Sequence, residues 1–279
     1  MSTRVVVTGA GVVDGHTSGL TSRLLDETEA RRLSRICQFT VAAARLALGE
    51  AGLDARGDLA LLVGTEFGDM VSTIAFVDGY LRGGPVGVSP LLFPHTVMNT
   101  MAATTAIAVS AKDLSLTLNT WTVAGELAIA RGAAMIRAGR IRACLAGGAD
   151  EPPPMVVQTI REIGGGGDVR SDGAGFVVLE SLGSAQARRA AILAEIVGMA
   201  WRALPARPHG IGRGADSKAI AAAPAPKRSA TSTPRPAVMP SGKPGKTRSS
   251  TGRSLRTSRP AVRSAWRLAG IPGWRPGSW

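Results

Sequence analysis

The sequence lacks the features that define several broad classes of protein. It has two cysteines, Cys37 and Cys144, which are too few for a disulfide scaffold and do not have the short spacing of zinc ligands. No run of the sequence approaches the ~18–20 apolar residues that a membrane-spanning helix needs. The opening residues MSTRVVVTGAGVV are short and interrupted by glycine, unlike a signal peptide. These absences predict a soluble, cytoplasmic protein with no membrane partner.

Acidic residues are almost missing from the end of the chain. Residues 201–279 carry a net charge of +15 with one acid, Asp216, whereas residues 1–200 carry −2. The whole-chain charge of +13 therefore describes neither part. This division argues against a uniformly basic nucleic-acid-binding domain, because the segment able to fold is almost neutral.

The same boundary separates a patterned segment from an unpatterned one. Hydrophobic periodicity ends near Leu204, and 11 of the 17 prolines lie at or beyond Pro205. A Pro-, Ser- and Arg-rich chain buries too little apolar surface to fold. We therefore predict one folded domain over 1–204 and a disordered basic tail over 205–279.

Within the first 200 residues, strand patterns alternate with helix patterns. Apolar runs predict strands at 5–7, 59–63, 114–119, 141–146, 173–180 and 192–199. Helical spacing predicts helices over 26–52, 99–110 and 122–138. This alternation predicts an α/β layered domain with a mixed or largely parallel sheet.

The glycines after the first strand invite a second interpretation. Gly9 and Gly11 match the first two positions of a dinucleotide-binding fingerprint, but the third position is Asp14. Since no phosphate-cradling helix start follows, a buried strand that ends in a tight loop is the preferred interpretation.

Six segments carry a resemblance to a known family, and they occur in the family's order. They are RVVVTGAGVV, RRLSRICQFTVAAARLALGEAGL, LALLVGTEFG, LLFPHTVMNTMAATTAIAV, IRAGRIRACLAGGADE and SDGAGFVVLES followed by AQARRAAILAEIVG. Together they resemble the N-terminal half of the β-ketoacyl synthases. The resemblance implies the N-terminal half of a thiolase-like fold.

The resemblance also implies a reaction and partners. The family condenses an acyl chain with malonyl on acyl carrier protein, with loss of carbon dioxide, in fatty-acid and polyketide biosynthesis. The implied partners are acyl carrier protein and an active β-ketoacyl synthase, in a homo- or heterodimer. It implies no metal and no cofactor.

The family's nucleophile is a cysteine at the start of a buried helix, and this sequence replaces it. That cysteine ends a Thr-x-Cys triplet about two dozen residues before an Ala-Gly-Gly turn. Counting back from Ala146-Gly147-Gly148 reaches Thr120-Trp121-Thr122. Thr122 therefore occupies the nucleophile position, and Thr120 matches the family threonine. Whether the chain is an enzyme is thus left open.

Threonine is a poor substitute for that cysteine. An aliphatic hydroxyl is a weak nucleophile unless a base activates it, so we expect Thr122 to cap the helix instead. Trp121, where the family has a small residue, is expected to fill space meant for substrate. Cys144 lies within an apolar strand and cannot replace the nucleophile, and Cys37 lies on an apolar helical stripe, as a core thiol does.

The family's two catalytic histidines belong to the half that the resemblance does not cover. This chain has His16, His95 and His209. His95 falls within FPHTVMN, whose histidine is not one of the catalytic pair, so a structural role is expected. His209 lies in the predicted tail without the surrounding motif.

Three hypotheses follow. The first is a truncated, catalytically impaired synthase homologue whose reading frame departs from the family near Leu204. The second is a non-catalytic partner that shapes the cavity of an active synthase, as chain-length factors do. The third and least favoured is a folded domain whose basic tail binds nucleic acid without sequence specificity.

Overall fold

The computed structural model describes residues 3–15, 19, 21–54, 58–120, 123–162 and 172–199. The predicted boundary at Leu204 and the tail 205–279 lie outside the described residues. So do Trp121, Thr122 and His16.

The described residues form strands and helices in an alternating order. The strands are β1 (Val5–Asp14), β2 (Leu59–Thr65), β3 (Ser115–Asn119), β4 (Ala143–Asp150), β5 (Gly173–Ser181) and β6 (Ala194–Ile196). The helices are α1 (Thr21–Leu24), α2 (Glu27–Arg32), α3 (Arg35–Ala51), α4 (Met70–Gly83), α5 (Thr100–Ala108), α6 (Ala124–Arg137), α7 (Pro154–Glu162) and α8 (Leu182–Ala187). Two 3-10 turns, Gly84–Gly87 and Phe93–His95, follow α4.

The strands form one mixed sheet in the order β3-β2-β4-β5-β1-β6. β2 pairs in parallel with both β3 and β4, whereas β5 is antiparallel to β4 and β1, and β6 is antiparallel to β1. The predicted α/β class with a mixed sheet is confirmed.

Side-chain alternation along the strands produces a core on each face of the sheet. Leu59, Leu61 and Val63 of β2 point into a cluster with buried residues of α3. Ala60 and Leu62, one residue out of phase, point into a cluster with buried residues of α6. Because both faces are covered, β2 is buried along its whole length, as expected of a central parallel strand.

The first strand is longer than the sequence pattern suggested. β1 continues through Gly9 and Gly11 to Asp14, so the expected tight loop, and with it the dinucleotide-binding interpretation, is wrong. A Cβ at Gly9 would lie 2.2 Å from the carbonyl oxygen of Ala47, and one at Gly11 would lie 2.2 Å from that of Ala43. The two glycines therefore allow the α3 backbone to pack directly on β1.

The helix predicted over 26–52 is two helices. Asp26 caps α2 by accepting a hydrogen bond from the Glu29 amide at 2.8 Å. The chain then turns extended at Leu33, and α3 begins at Arg35. The Gln38 side-chain amide donates to the carbonyl oxygens of Ala30 and Leu33 at 3.0 and 3.1 Å. The Leu33 amide also donates to the Ala30 carbonyl oxygen at 3.2 Å, so the Gln38 side chain adds a second donor there and supplies one to the Leu33 carbonyl oxygen at the break.

Two further differences concern β4 and α4. The glycine pair Gly147-Gly148 lies inside β4 and is not a turn. A Cβ at Gly147 would meet the Gly175 carbonyl oxygen of β5 at 1.9 Å, so glycine is required by strand packing. The sequence patterns did not predict α4 at all.

Among the helices that the structure describes, none is long and apolar enough to cross a bilayer.

Candidate active site

The carboxyl ends of three parallel strands meet at one edge of the sheet. β2 ends at Thr65, β3 at Asn119 and β4 at Asp150, and Thr65 is the direct register partner of Asn119. Such an edge is where open α/β sheets place their ligands. The chain between β3 and α6, which contains position 122, leaves from this edge.

Asp150 ties this edge together. Its carboxylate accepts hydrogen bonds from the Thr65 hydroxyl at 2.8 Å and from the amides of Glu66 and Phe67, each at 2.9 Å. The Asn119 side-chain amide donates to the carbonyl oxygens of Thr65 and Glu66 at 3.2 and 3.1 Å. These bonds fix the loop after β2 against the ends of β3 and β4.

Three glycines bring the start of α6 into direct backbone contact with the sheet. A Cβ at Gly64 of β2 would lie 2.1 Å from the carbonyl carbon and oxygen of Ala124. A Cβ at Gly148 of β4 would lie 3.0 Å from the Gly125 Cα. The second glycine of the Ala-Gly-Gly motif thus supports the helix that follows the nucleophile position.

The amino end of α6 supplies the electrostatic part of the site. The helix begins at Ala124, and its N-cap residue is Val123, which offers no polar side chain to the first-turn amides. The Thr120 amide donates to the Thr65 carbonyl oxygen at 3.2 Å and so extends the β2–β3 ladder by one bond. Thr122 itself lies outside the described residues, so its occupancy of the nucleophile position and its capping role stay predictions. A group at that position precedes the positive end of a helix dipole.

Cys144 is not available for this chemistry. It is fully buried on the α6 face of β4, and a Cβ at Gly132 of α6 would lie 2.7 Å from its sulfur. Burial raises the pKa of the Cys144 thiol far above its ordinary value. The predicted position of Cys144 within a buried apolar strand is confirmed.

A separate cleft of about 270 Å³ lies beside α7. Arg35 at its rim forms ion pairs with Glu151, at 2.7 Å, and with Asp172, and its guanidinium lies 4.6 Å from the Phe39 ring centre. The cleft is lined by Arg35, Val71, Glu151, Pro152, Pro154, Val157 and Asp172. Its charged groups already pair with one another and hold α3 to the segments after β4 and before β5.

Sequence reasoning missed a second group of reactive side chains. The ligand atoms of Cys37, Asp69 and His95 all lie within 4.8 Å of one another. Cys37 is fully buried, as predicted for a core thiol, and burial raises its pKa. His95 Nδ1 lies 3.8 Å from Asp69 Oδ2. No local spacing signals this group, because its members come from α3, the start of α4 and a 3-10 turn.

Comparison of the sequence with known proteins identifies a family. A model described as "Beta-ketoacyl synthase, N-terminal domain" matches residues 23–164. The 3-oxoacyl-[acyl-carrier-protein] synthase 2 of Vibrio harveyi is 28% identical over 198 residues, which cover 62% of this chain and 48% of that protein. Its counterpart in Staphylococcus aureus strain N315 is 30% identical over 197 residues, which cover 62% of this chain and 48% of that protein. The chain thus spans about half the length of these relatives.

Solved structures with the same fold are ketosynthases. The ishigamide ketosynthase/chain length factor has a TM-score of 0.61 at 24% identity, covering 71% of this chain and 63% of that chain. A type II polyketide synthase complex, AntDE:AntF, in which an acyl-carrier protein is bound to its ketosynthase, has a TM-score of 0.62 at 21% identity. That match covers 70% of this chain and 67% of the other. These similarities confirm the predicted thiolase-like fold.

Proposed function

Because the chain belongs to the β-ketoacyl synthase family, we propose that it is a synthase-like protein of fatty-acid or polyketide biosynthesis that is impaired in acyl transfer. The observation that carries this proposal is the threonine at position 122, where the motif register places the family's nucleophilic cysteine. The proposed partners, by analogy with the family, are acyl carrier protein and an active synthase.

The chemistry of the position supports impairment. A cysteine thiol at the amino end of a helix has a lowered pKa and exists partly as thiolate, which attacks an acyl thioester without a strong base. An aliphatic hydroxyl in the same place stays protonated and needs an adjacent general base. The dipole of α6 is retained, but it stabilises an anion that a threonine does not form at neutral pH.

Restoring the cysteine tests the proposal. We expect the full-length protein to remain unmodified when it is incubated with an acyl-carrier-protein thioester. Thr122→Cys is expected to gain one acyl group, detectable by intact-protein mass spectrometry and removable with neutral hydroxylamine. The physical reason is that the substitution supplies a thiol at the positive end of α6.

Thr120→Cys is the matched control, because it introduces the same thiol two residues earlier, where the chain still belongs to the β3 edge. It is expected to stay unmodified. Acylation of the unsubstituted protein at Thr122 would contradict the proposed impairment. Acylation of Thr120→Cys in place of Thr122→Cys would contradict the motif register.

A second candidate function is a non-catalytic, chain-length-factor-like partner of an active synthase. One observation favours it: a solved structure similar to this chain is a ketosynthase paired with a chain length factor. A member of the family without the nucleophile retains the sheet and helices that form an interface, and it therefore retains the capacity to shape a partner's cavity. The first and second candidates are compatible, since both depend on Thr122.

A further inference from the structure

The second group of reactive side chains has the composition and the geometry of a cation site. We propose that Cys37, Asp69 and His95 bind one divalent zinc-type cation through sulfur, carboxylate and imidazole. The three groups belong to three separate elements of the fold and converge at one point. Neither the motifs of the sequence nor the family resemblance assigns them a ligand role; the sequence predicts a core thiol at Cys37 and a structural role for His95.

Burial is the first argument. The Asp69 side chain is 1% exposed and that of His95 is 14% exposed, and Cys37 is fully buried. One oxygen of Asp69 caps α4 by accepting from the Ser72 amide at 3.1 Å. Its other oxygen, Oδ2, and the Nδ1 atom of His95 are buried and have no hydrogen-bond partner among the described residues. A carboxylate oxygen without a donor is costly in a protein interior, and a bound cation removes that cost.

Geometry is the second argument. The three ligand atoms lie within 4.8 Å of one another, and one pair of them, Asp69 Oδ2 and His95 Nδ1, is 3.8 Å apart. Zinc binds sulfur at about 2.3 Å and nitrogen or oxygen at about 2.0–2.2 Å, so two ligand atoms on one tetrahedral ion lie roughly 3.5 Å apart. A shift of about 1 Å closes the difference. His95, on the short turn Phe93–His95, is the most exposed of the three and the best placed to move.

The choice of ion follows from the ligand set. A thiolate with an imidazole selects zinc and similar transition metals over magnesium and calcium, which prefer oxygen ligands. Three protein ligands leave a fourth position for water on the partly exposed His95 side. The bound ion would join α3, the start of α4 and the Phe93–His95 turn, which the sequence separates by 32 and 26 residues.

Cobalt titration of the full-length protein tests the site. After removal of metals with a chelator, Co²⁺ is expected to bind at one equivalent and to produce a near-ultraviolet band from thiolate-to-cobalt charge transfer, which Zn²⁺ abolishes. Cys37→Ser should remove the band. Asp69→Asn keeps the oxygen that caps α4, and His95→Ala alters a partly exposed side chain. Each should weaken binding by more than about 100-fold, since loss of a ligand costs more than loss of an outer-shell contact.

The chain offers matched controls. Cys144→Ser removes the other cysteine, on the opposite face of the sheet, and His209→Ala removes a histidine from the predicted tail; both should bind cobalt as the unsubstituted protein does. A folded protein without the band would overturn the proposal. So would a band that disappears in Cys144→Ser, or unchanged affinity in His95→Ala. If Cys37→Ser fails to fold, as judged by circular dichroism, the cobalt titrations of His95→Ala and Asp69→Asn decide whether the site exists.

Discussion

At the scale of single residues, the side chain of Glu180 in β5 connects β1 with the end of α8. Its side chain is 1% exposed and accepts a hydrogen bond from the Thr8 hydroxyl at 2.6 Å and two from Arg188 Nε at 3.0 and 3.2 Å. Arg188 also donates to the Ala51 carbonyl oxygen at 2.7 Å. Burial by itself raises the pKa of Glu180, but the hydrogen bonds from Arg188 and Thr8 outweigh it and hold the pKa below its ordinary value.

Glu180→Gln should therefore destabilise the fold. Removing one partner of a buried ion pair costs about 3–5 kcal/mol, and we expect about 3 kcal/mol here because Arg188 is a quarter exposed. Denaturant unfolding at neutral pH measures the loss. Glu27→Gln is the control, since Glu27 pairs with Arg31 on the surface and such pairs contribute about 0–1 kcal/mol.

The stabilisation that Glu180 provides should also depend on pH. Because the folded-state pKa of Glu180 lies below the ordinary value of 4.5, the stabilisation is complete above that value and is lost as the pH falls through the folded-state pKa. The stability difference between the unsubstituted protein and Glu180→Gln should thus shrink below about pH 4.5. An equal difference at neutral pH and in strong acid would show that the charge of Glu180 is irrelevant.

At the scale of elements, the contact between β2 and α6 depends on the missing side chain of Gly64. Gly64→Ala places a Cβ 2.1 Å from the Ala124 backbone, which forces the start of α6 away from the sheet. We expect a loss of about 1–3 kcal/mol or more, as in other overpacked cores. Thermal unfolding measures it.

Gly49→Ala provides the matched control for Gly64→Ala. Gly49 lies in α3, and a Cβ at this position would meet, apart from the backbone of its own helix, no atom within 4 Å among the described residues. Alanine should therefore stabilise the protein by about 0.5–1 kcal/mol through helix propensity. Equal effects of the two substitutions would contradict the tight backbone contact at α6.

Most of the elements that the sequence predicted carry a buried apolar stripe or run; β3, predicted from its alternating leucines, has no fully buried residue. β2 is buried at every position, and β5 was predicted to within one residue because apolar residues fill it. α4 was missed because its single buried residue is Ser72, while Val77 and Leu81 face solvent. An apolar pattern in a sequence indicates a buried face, and α4 has only one buried residue.

The sequence predicted the candidate site only at the position that a motif locates. The register from Ala146-Gly147-Gly148 identified position 122, but the same glycines were interpreted as a turn because their packing partners, α6 and β5, are known only from the fold. The convergence of Cys37 with Asp69 and His95 depends on three distant elements. No spacing within a single segment contains that information.

At the scale of the whole molecule, exposed apolar side chains concentrate in one segment. This segment runs from Met70 to Ala108 and comprises α4, the two 3-10 turns, α5 and the residues that connect them. Its apolar side chains that are more than 40% exposed are Val71, Val77, Tyr80, Leu81, Val86, Leu91, Phe93, Val97, Met98 and Ile107. The most exposed are Val86 at 94% and Leu91 at 83%. A surface of this kind is typical of an interface with another protein, as the homo- or heterodimer implied by the family resemblance requires.

We therefore expect the chain to co-purify with a cysteine-bearing β-ketoacyl synthase expressed with it, as the second candidate function requires. Leu81→Glu should weaken that association roughly 30-fold, since losing the burial of one leucine costs about 2 kcal/mol. Analytical ultracentrifugation of the two proteins measures the change.

Thr159→Glu, on the exposed side of α7, introduces the same charge outside this segment and should leave the association unchanged. A monodisperse monomer that does not bind the synthase would contradict the partner role. So would a homodimer that condenses acyl and malonyl groups unaided. The domain boundary near Leu204 stays a prediction.

The strand order has a consequence for how the molecule forms during synthesis. β1 is made first, yet it pairs with β5 and β6, so that Val5 lies opposite both Ser181 and Ile196. The strand that pairs with β1 is synthesised more than about 170 residues later. Until then, the apolar residues of β1 have no hydrogen-bonding partner. Contacts this distant in sequence slow folding and prolong the exposure of unpaired strands. The apolar residues of β1 therefore stay unpaired, and open to aggregation, until β5 and β6 have been synthesised.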